Sequence, residues 1–186
     1  MQNQKWRLNN PKVQEALQYF VDEARICAQP TDQEGMILGI AAMCTIFPCI
    51  MVLGEALANG EISKEIVDSF YEEMPDKRKW IFPPEGARHN DETIRGLLLR
   101  LRHGLAHAVS MPDEIALVSS RQDAGTSTGD RWCIIVPDFV EAVDETIKRL
   151  TETRPCLSLK RIMRGDRGFV EVQPSEGIVV RRWNTL

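Results

Sequence analysis

Leu99-Arg100-Leu101-Arg102-His103-Gly104-Leu105-Ala106-His107-Ala108 is the stretch on which the fold of this chain turns. Two of the three histidines lie in it, beside two arginines. It belongs to the best amphipathic helix in the sequence, predicted from about Asp91 to Ser110. At about 100° per residue, Ile94, Leu97, Leu98, Leu101, Leu105, Ala108 and Val109 fall on one side, the core side. Arg100, His103 and His107 follow at i, i+3 and i+7 on the opposite side, joined by Gly96. Arg102 stands about a quarter turn from the core centre, between the two faces. One helix therefore carries an apolar stripe and a compact stripe of Arg and His.

The rest of the chain reads as a mainly helical protein around that element. Its 186 residues suffice for one good core and a small additional element. Pro11 to Cys27 predicts a first helix, with Val13, Leu17, Phe20, Val21 and Ala24 at helical spacing. Thr31-Asp32-Gln33-Glu34 has the form of a capping box. Gly35 to Gly54 contains no charged residue and is long enough for a membrane span. Its Gly, Ala and Thr content, its internal Pro48 and the acids at both flanks favour a central buried helix, kinked or broken at Pro48. Asn59-Gly60 stops that helix, and Glu61 to Met74 predicts another. Pro75 to Asn90 reads as a connector anchored by Trp80 and Phe82. Ile115 to Val118 and Trp132 to Val136 are β-type runs on either side of a Gly-, Ser- and Thr-rich segment, which predicts a β-hairpin with a long tip. Pro137 opens a last core helix to about Leu150. Beyond Pro155, short alternating runs predict a small β appendix.

Charge and cysteine usage narrow the setting. The net charge of −4 does not announce a nucleic-acid binder, but it is unevenly spread. From Arg154 to Leu186 there are seven basic and three acidic residues, a net of +4, which leaves −8 on the first 153. The five cysteines are odd in number, form no Cys-x-x-Cys and sit mostly in apolar runs. They read as small buried hydrophobes in a reducing cytosol. The first ten residues lack the apolar core of a signal peptide, so a cytoplasmic chain with no membrane partner is expected.

The Arg and His stripe has a chemistry of its own. Imidazole is matched to proton transfer near neutral pH, and guanidinium to phosphate through its fixed fork of donors. Together on one face they suit the cleavage of a phosphodiester. The sequence offers no companion metal set, so such a site would rely on acid–base chemistry and electrostatic stabilisation. His103 and His107 could supply half of a zinc site, but no third ligand is evident. A strip of Arg and His is also often no more than solvated surface or a dimer contact.

Arg102-His103-Gly104-Leu105-Ala106-His107 resembles the signature of the HEPN superfamily: an arginine, often followed by a polar residue, then a histidine after four to six intervening positions. The apolar lead-in, the following β segment and the closing helix agree with it over roughly Pro11 to Thr153. The resemblance implies a mainly α fold, a HEPN-like antiparallel helical bundle. In it, residues 1–153 form the bundle, a β-hairpin at about 114–136 precedes the last core helix, and residues 154–186 form a basic appendix packed on it. It implies a metal-independent endoribonuclease of toxin or phage-defence type, with no cofactor. The enzyme would act as a homodimer whose motif helices line a shared cleft. An antitoxin or regulatory protein would be a further partner. Carried over, His107 handles protons, Arg102 meets the scissile phosphate and His103 supports it. The 2′-OH is the nucleophile and a 2′,3′-cyclic phosphate the product. Arg100 also satisfies the spacing, and periodicity puts it, not Arg102, on the face of His107; it is retained as a second phosphate ligand. Lys79, Arg161 and Arg164 are the further candidates for holding RNA. The alternative on the same fold is a non-catalytic RNA-binding or protein-interaction module.

Two other signals are weaker. Gly125-Thr126-Ser127-Thr128-Gly129 matches the nucleophile-elbow pattern, but every histidine lies upstream and the stretch leads into a strand. His89 reads as a surface loop residue.

Overall fold

A computed structural model describes residues 6–29, 39–59, 62–107, 111–127, 129–164, 168–173 and 177–182, with backbone alone for 107, 125–127 and everything after 160. The capping box at Thr31–Glu34 and the end of the motif helix at Ala108–Ser110 lie outside these residues.

Six α-helices and two small sheets make up the described chain. Helix α1 (Pro11–Ala28) starts where Asn10 accepts from the Lys12 amide, with proline in its first turn, and buries Val13, Leu17, Val21, Ala24 and Ala28. Helix α2 (Gly39–Ala58) is the hydrophobic centre: it packs against α1, helix α3 (Ser63–Glu73), helix α4 (Asp91–His107) and helix α6 (Val136–Thr153). That surround explains why its sequence is apolar on nearly every side. The helix runs on through Pro48, unbroken. It is long and apolar enough to cross a membrane, yet 56% of its most hydrophobic window is buried inside the fold, as in a core helix. It ends at Asn59, whose positive φ of 51° is the left-handed conformation that closes many helices. Gly54 gives α3 its close approach, because a Cβ there would press on the backbone carbonyl of Ile66.

After α3, a 3₁₀ turn (Lys77–Lys79) is capped by Asp76, which accepts from the Arg78 amide at 3.1 Å. The turn delivers Trp80 into the core, fully buried, edge-on to Phe139 at 4.9 Å between ring centres. Strand β1 (Ile81–Phe82) follows, then α4, strand β2 (Ile115–Val118), helix α5 (Arg121–Ser127), strand β3 (Trp132–Ile135) and α6. Arg25 fastens α1 to α6: it bonds Glu141 at 2.6 Å and the buried carboxylate of Asp144, which Lys148 also reaches at 2.7 Å.

The expected hairpin at 114–136 is corrected. β2 and β3 are parallel, in register Ile115↔Trp132 to Val118↔Ile135, and α5 is the crossover between them. β3 is the middle strand, with β1 antiparallel on its other edge. Two physical facts explain the difference. All four residues of β3 are buried, the continuous apolar pattern of a strand covered on both faces rather than of a half-exposed hairpin arm. The supposed tip carries a helix start: Ser120 donates to the Asp123 carboxylate at 2.7 Å and accepts from the Asp123 amide at 3.2 Å, a reciprocal cap. Gly125 to Ser127 thus close a helix that precedes a strand, the reverse of the elbow order.

Strands β4 (Arg161–Arg164), β5 (Gly168–Gln173) and β6 (Gly177–Arg182) form an antiparallel meander close to the expected runs. β4 runs beside α1 and α2. Ahead of it, residues 6–9 bond to 155–159, including Leu8 N to Leu157 O and Leu159 N to Trp6 O, both 2.9 Å.

Candidate functional site

The two faces of α4 fall as the periodicity predicts. Ile94, Leu97, Leu98, Leu101 and Leu105 are buried, while Arg100 and His103 are exposed and Arg102 is half-buried between them. The helix begins at Asn90, which accepts from the Thr93 amide at 3.1 Å, and carries Asp91 and Glu92 in its first turn. The Arg and His residues occupy its other end. His107 is the last described residue of α4; its backbone places it about 6 Å along the axis from His103 and about 7.5 Å from Arg102.

The two candidate arginines have different partners. Arg100 makes an ion pair with Glu114, Nε to Oε1 at 2.6 Å, which ties α4 to the start of β2. Arg102 has no carboxylate partner among the described residues. Its Nη1 donates to His103 Nδ1 at 3.3 Å. Guanidinium has no acceptor, so it is the donor in this contact and the ring nitrogen the acceptor. Arg102 and His103 thus form a cationic pair on exposed helix surface, with guanidinium donors left for an anion.

The remaining site candidates are dispersed. Lys79 is exposed in the 3₁₀ turn ahead of β1. Arg161 and Arg164 are the end residues of β4, opposite Glu171 and Gly168 of β5. Neither lies on the element that carries the motif. His89 packs edge-on to Trp132 at 6.5 Å, and with residues 76–78 and 90–92 it lines an open polar cleft of about 520 Å³ at the start of α4. That cleft mixes Lys77 and Arg78 with three carboxylates and lies at the end of α4 remote from the motif.

No family model, curated protein or solved structure matches the chain. The chemistry has to be read from its own residues.

Several perturbed groups belong to the scaffold. Burial pushes the Cys49 thiol up to about 12, and also raises Cys44 and Cys133. Five cysteines are free thiols. Burial, aided by its 2.7 Å hydrogen bond to Asp91, holds the Tyr71 hydroxyl well above the usual tyrosine value. The hydroxyls of Ser119 and Ser120 hold the Asp123 carboxyl below the ordinary range. Among the described residues, no three His, Cys, Asp or Glu side chains are grouped to hold a metal ion. Sequence reasoning missed Glu114 and Arg121. Glu114 carried no signal, because its meeting with Arg100 is a tertiary contact. Arg121 was legible through the Ser120-x-x-Asp123 capping pattern that places it in a first helical turn.

Proposed function

We propose that the chain is a cytoplasmic, HEPN-like, metal-independent endoribonuclease, of toxin or phage-defence type, whose site is the Arg102, His103 and His107 end of α4. The observation that carries this reading is the Arg102–His103 pair: an arginine with no carboxylate partner among the described residues, hydrogen-bonded to the imidazole beside it at the edge of an exposed helix face. The pair favours Arg102 over Arg100 as the arginine at the scissile phosphate, since Glu114 already neutralises Arg100. Arg100 keeps free guanidinium N–H groups for a second phosphate contact.

In this mechanism a ribose 2′-OH attacks the adjacent phosphorus. The 2′-OH proton leaves to a base, and the 5′-oxygen of the next nucleotide departs with a proton from an acid. The products are a 2′,3′-cyclic phosphate and a 5′-hydroxyl. His107 exchanges protons with the reacting oxygens, as imidazole does near neutral pH. Arg102 stabilises the charge that grows on the non-bridging oxygens. His103, held by Arg102, orients that guanidinium. One α4 supplies a short, open set of groups, which fits a site completed by the α4 of a second copy.

The test uses purified full-length protein and His107→Ala, matched for folding by circular dichroism, on a mixed RNA pool in EDTA. Cleavage by the wild type with a loss of at least about 100-fold in the variant is expected for removal of a general acid or base. Equal cutting by the two proteins would overturn the assignment.

A further inference from the structure

The small sheet brings together cations that the sequence keeps apart. Because β1 runs antiparallel to β3, the 3₁₀ turn before β1 lies at the carboxyl end of β3, where Ile135 N bonds Trp80 O at 2.9 Å. Because β2 is parallel to β3, the start of α5 emerges at the same end. Arg121 closes the gap: its Nη2 donates to Lys79 O at 3.4 Å, and its guanidinium lies over the half-buried Phe82 ring, 5.4 Å from the centroid. Arg78 borders Lys79 in the turn and reaches the cleft at the start of α4.

Arg78 shares its cleft with Asp76, Asp91 and Glu92, but none of the three cations is held in an ion pair among the described residues. On the helical body Arg25, Arg95, Arg100, Lys148, Arg149 and Arg154 all sit on carboxylates. Arg78, Lys79 and Arg121 have no such partner among the described residues. The acids beside them in sequence are engaged: Asp76 caps the turn, and Asp123 accepts from Ser119 and Ser120.

We infer that Arg78, Lys79 and Arg121 form a surface that holds the phosphate backbone of single-stranded RNA at the end of the three-stranded sheet opposite the Arg102–His107 site. This rests on the ribonuclease reading for the identity of the polyanion. Arg100 is paired to Glu114 at the amino end of β2, so the four-residue strands separate the two regions by about 13 Å or more. The guanidinium over Phe82 favours RNA over an acidic protein, because a planar cation and an aromatic edge also offer a base a stacking surface. The surface acts on binding and register, and takes no part in the chemical step.

The experiment measures binding of a fluorescein-labelled 2′-O-methyl RNA single strand, which lacks the attacking hydroxyl, to the full chain across a salt series. Lys79→Gln/Arg121→Gln is compared with Lys12→Gln/Lys64→Gln, an equal loss of charge at exposed positions elsewhere. Two lost phosphate contacts should flatten the slope of log affinity against log salt by about 1.4, and weaken binding about tenfold or more near 0.1 M salt. The control pair should leave the slope unchanged. Equal effects in both pairs, no effect in the first, or binding of polyglutamate in preference to RNA would overturn the inference. The two readings fail separately. Slope loss in a protein that cuts nothing removes the nuclease and keeps the surface. Cleavage with an unaltered slope does the reverse.

Discussion

Replacing Gly54 with alanine should destabilise the protein, and the same change at Gly96 should stabilise it. A Cβ on Gly54 would lie 2.8 Å from Ile66 Cγ2 and 3.0 Å from the Ile66 carbonyl carbon, and closer still to its oxygen. Carbon atoms in contact prefer about 3.5–4.0 Å, so α2 and α3 would have to part by about 1 Å. The obstacle is backbone, which cannot rotate away as a side chain can. Overpacking of this kind costs about 1–3 kcal/mol, and the upper end applies here. Alanine's better helix propensity returns about 1 kcal/mol, leaving a net loss of about 2 kcal/mol. For a chain of this size that lowers Tm by about 4–8 °C. At Gly96 a Cβ would meet only Arg100 Nη1 at 3.5 Å, an ordinary contact with the movable end of a side chain. The propensity gain then stands alone, and Tm should rise by about 2–4 °C. Thermal melts followed at 222 nm, with urea titrations to check for a constant m-value, read both variants. A Gly54→Ala protein as stable as the wild type would refute the close α2–α3 contact. A Gly96→Ala protein that melts lower would refute the placement of Gly96 on an open helix face.

Three further outcomes follow from the same geometry. Arg25→Met should cost about 1–2 kcal/mol in urea unfolding, discounted for the exposure of Arg25, because it leaves the buried Asp144 with Lys148 alone; Arg25→Met/Asp144→Leu should recover most of that loss. The Tyr71 hydroxyl titrates higher when folded than when unfolded, so its contribution is complete below pH about 10, the ordinary tyrosine value, and is lost as pH rises beyond it. Stability followed by urea melts should fall over that alkaline window and fall less in Tyr71→Phe, which at neutral pH loses about 1 kcal/mol with the Asp91 hydrogen bond. On RNA, Arg102→Ala should lower kcat about 100-fold or more and Arg102→Lys should recover little of it, whereas Arg100→Ala, already paired to Glu114, should have the smaller effect; the reverse order would make Arg100 the key arginine.

The helices were legible because their signals are local. Asn10-Pro11, Asn90 and the Ile94-to-Leu105 stripe each carry the cap or the period that the fold uses. The apolar run about Pro48 was correctly read as a central helix, since four neighbouring helices bury it. The proline did not break it, because the surrounding packing sustains the helix through a missing backbone donor. Strand pairing was not legible. Trp132 to Ile135 shows that a strand is buried, but whether its neighbour runs parallel depends on whether the connection folds into a crossover. The Gly, Ser and Thr around residues 125–128 masked the one local clue, the reciprocal cap of Ser120 and Asp123. The short strand Ile81–Phe82 gives no period at all. At the site, the faces of Arg100, Arg102 and His103 on α4 were legible in the sequence. Glu114 on Arg100, and Arg121 against Lys79, arise only when separate elements meet.

The most direct measurement of the central claim is the chemistry of the cut ends. A defined RNA, treated with the purified chain in EDTA at neutral pH, should yield 2′,3′-cyclic phosphate and 5′-hydroxyl termini by mass spectrometry. A single 2′-deoxy nucleotide placed 5′ to the cut should abolish cleavage at that bond. Products with 3′-hydroxyl and 5′-phosphate ends, or cutting that persists at the deoxy position, would contradict an Arg102 and His107 site acting through the ribose hydroxyl.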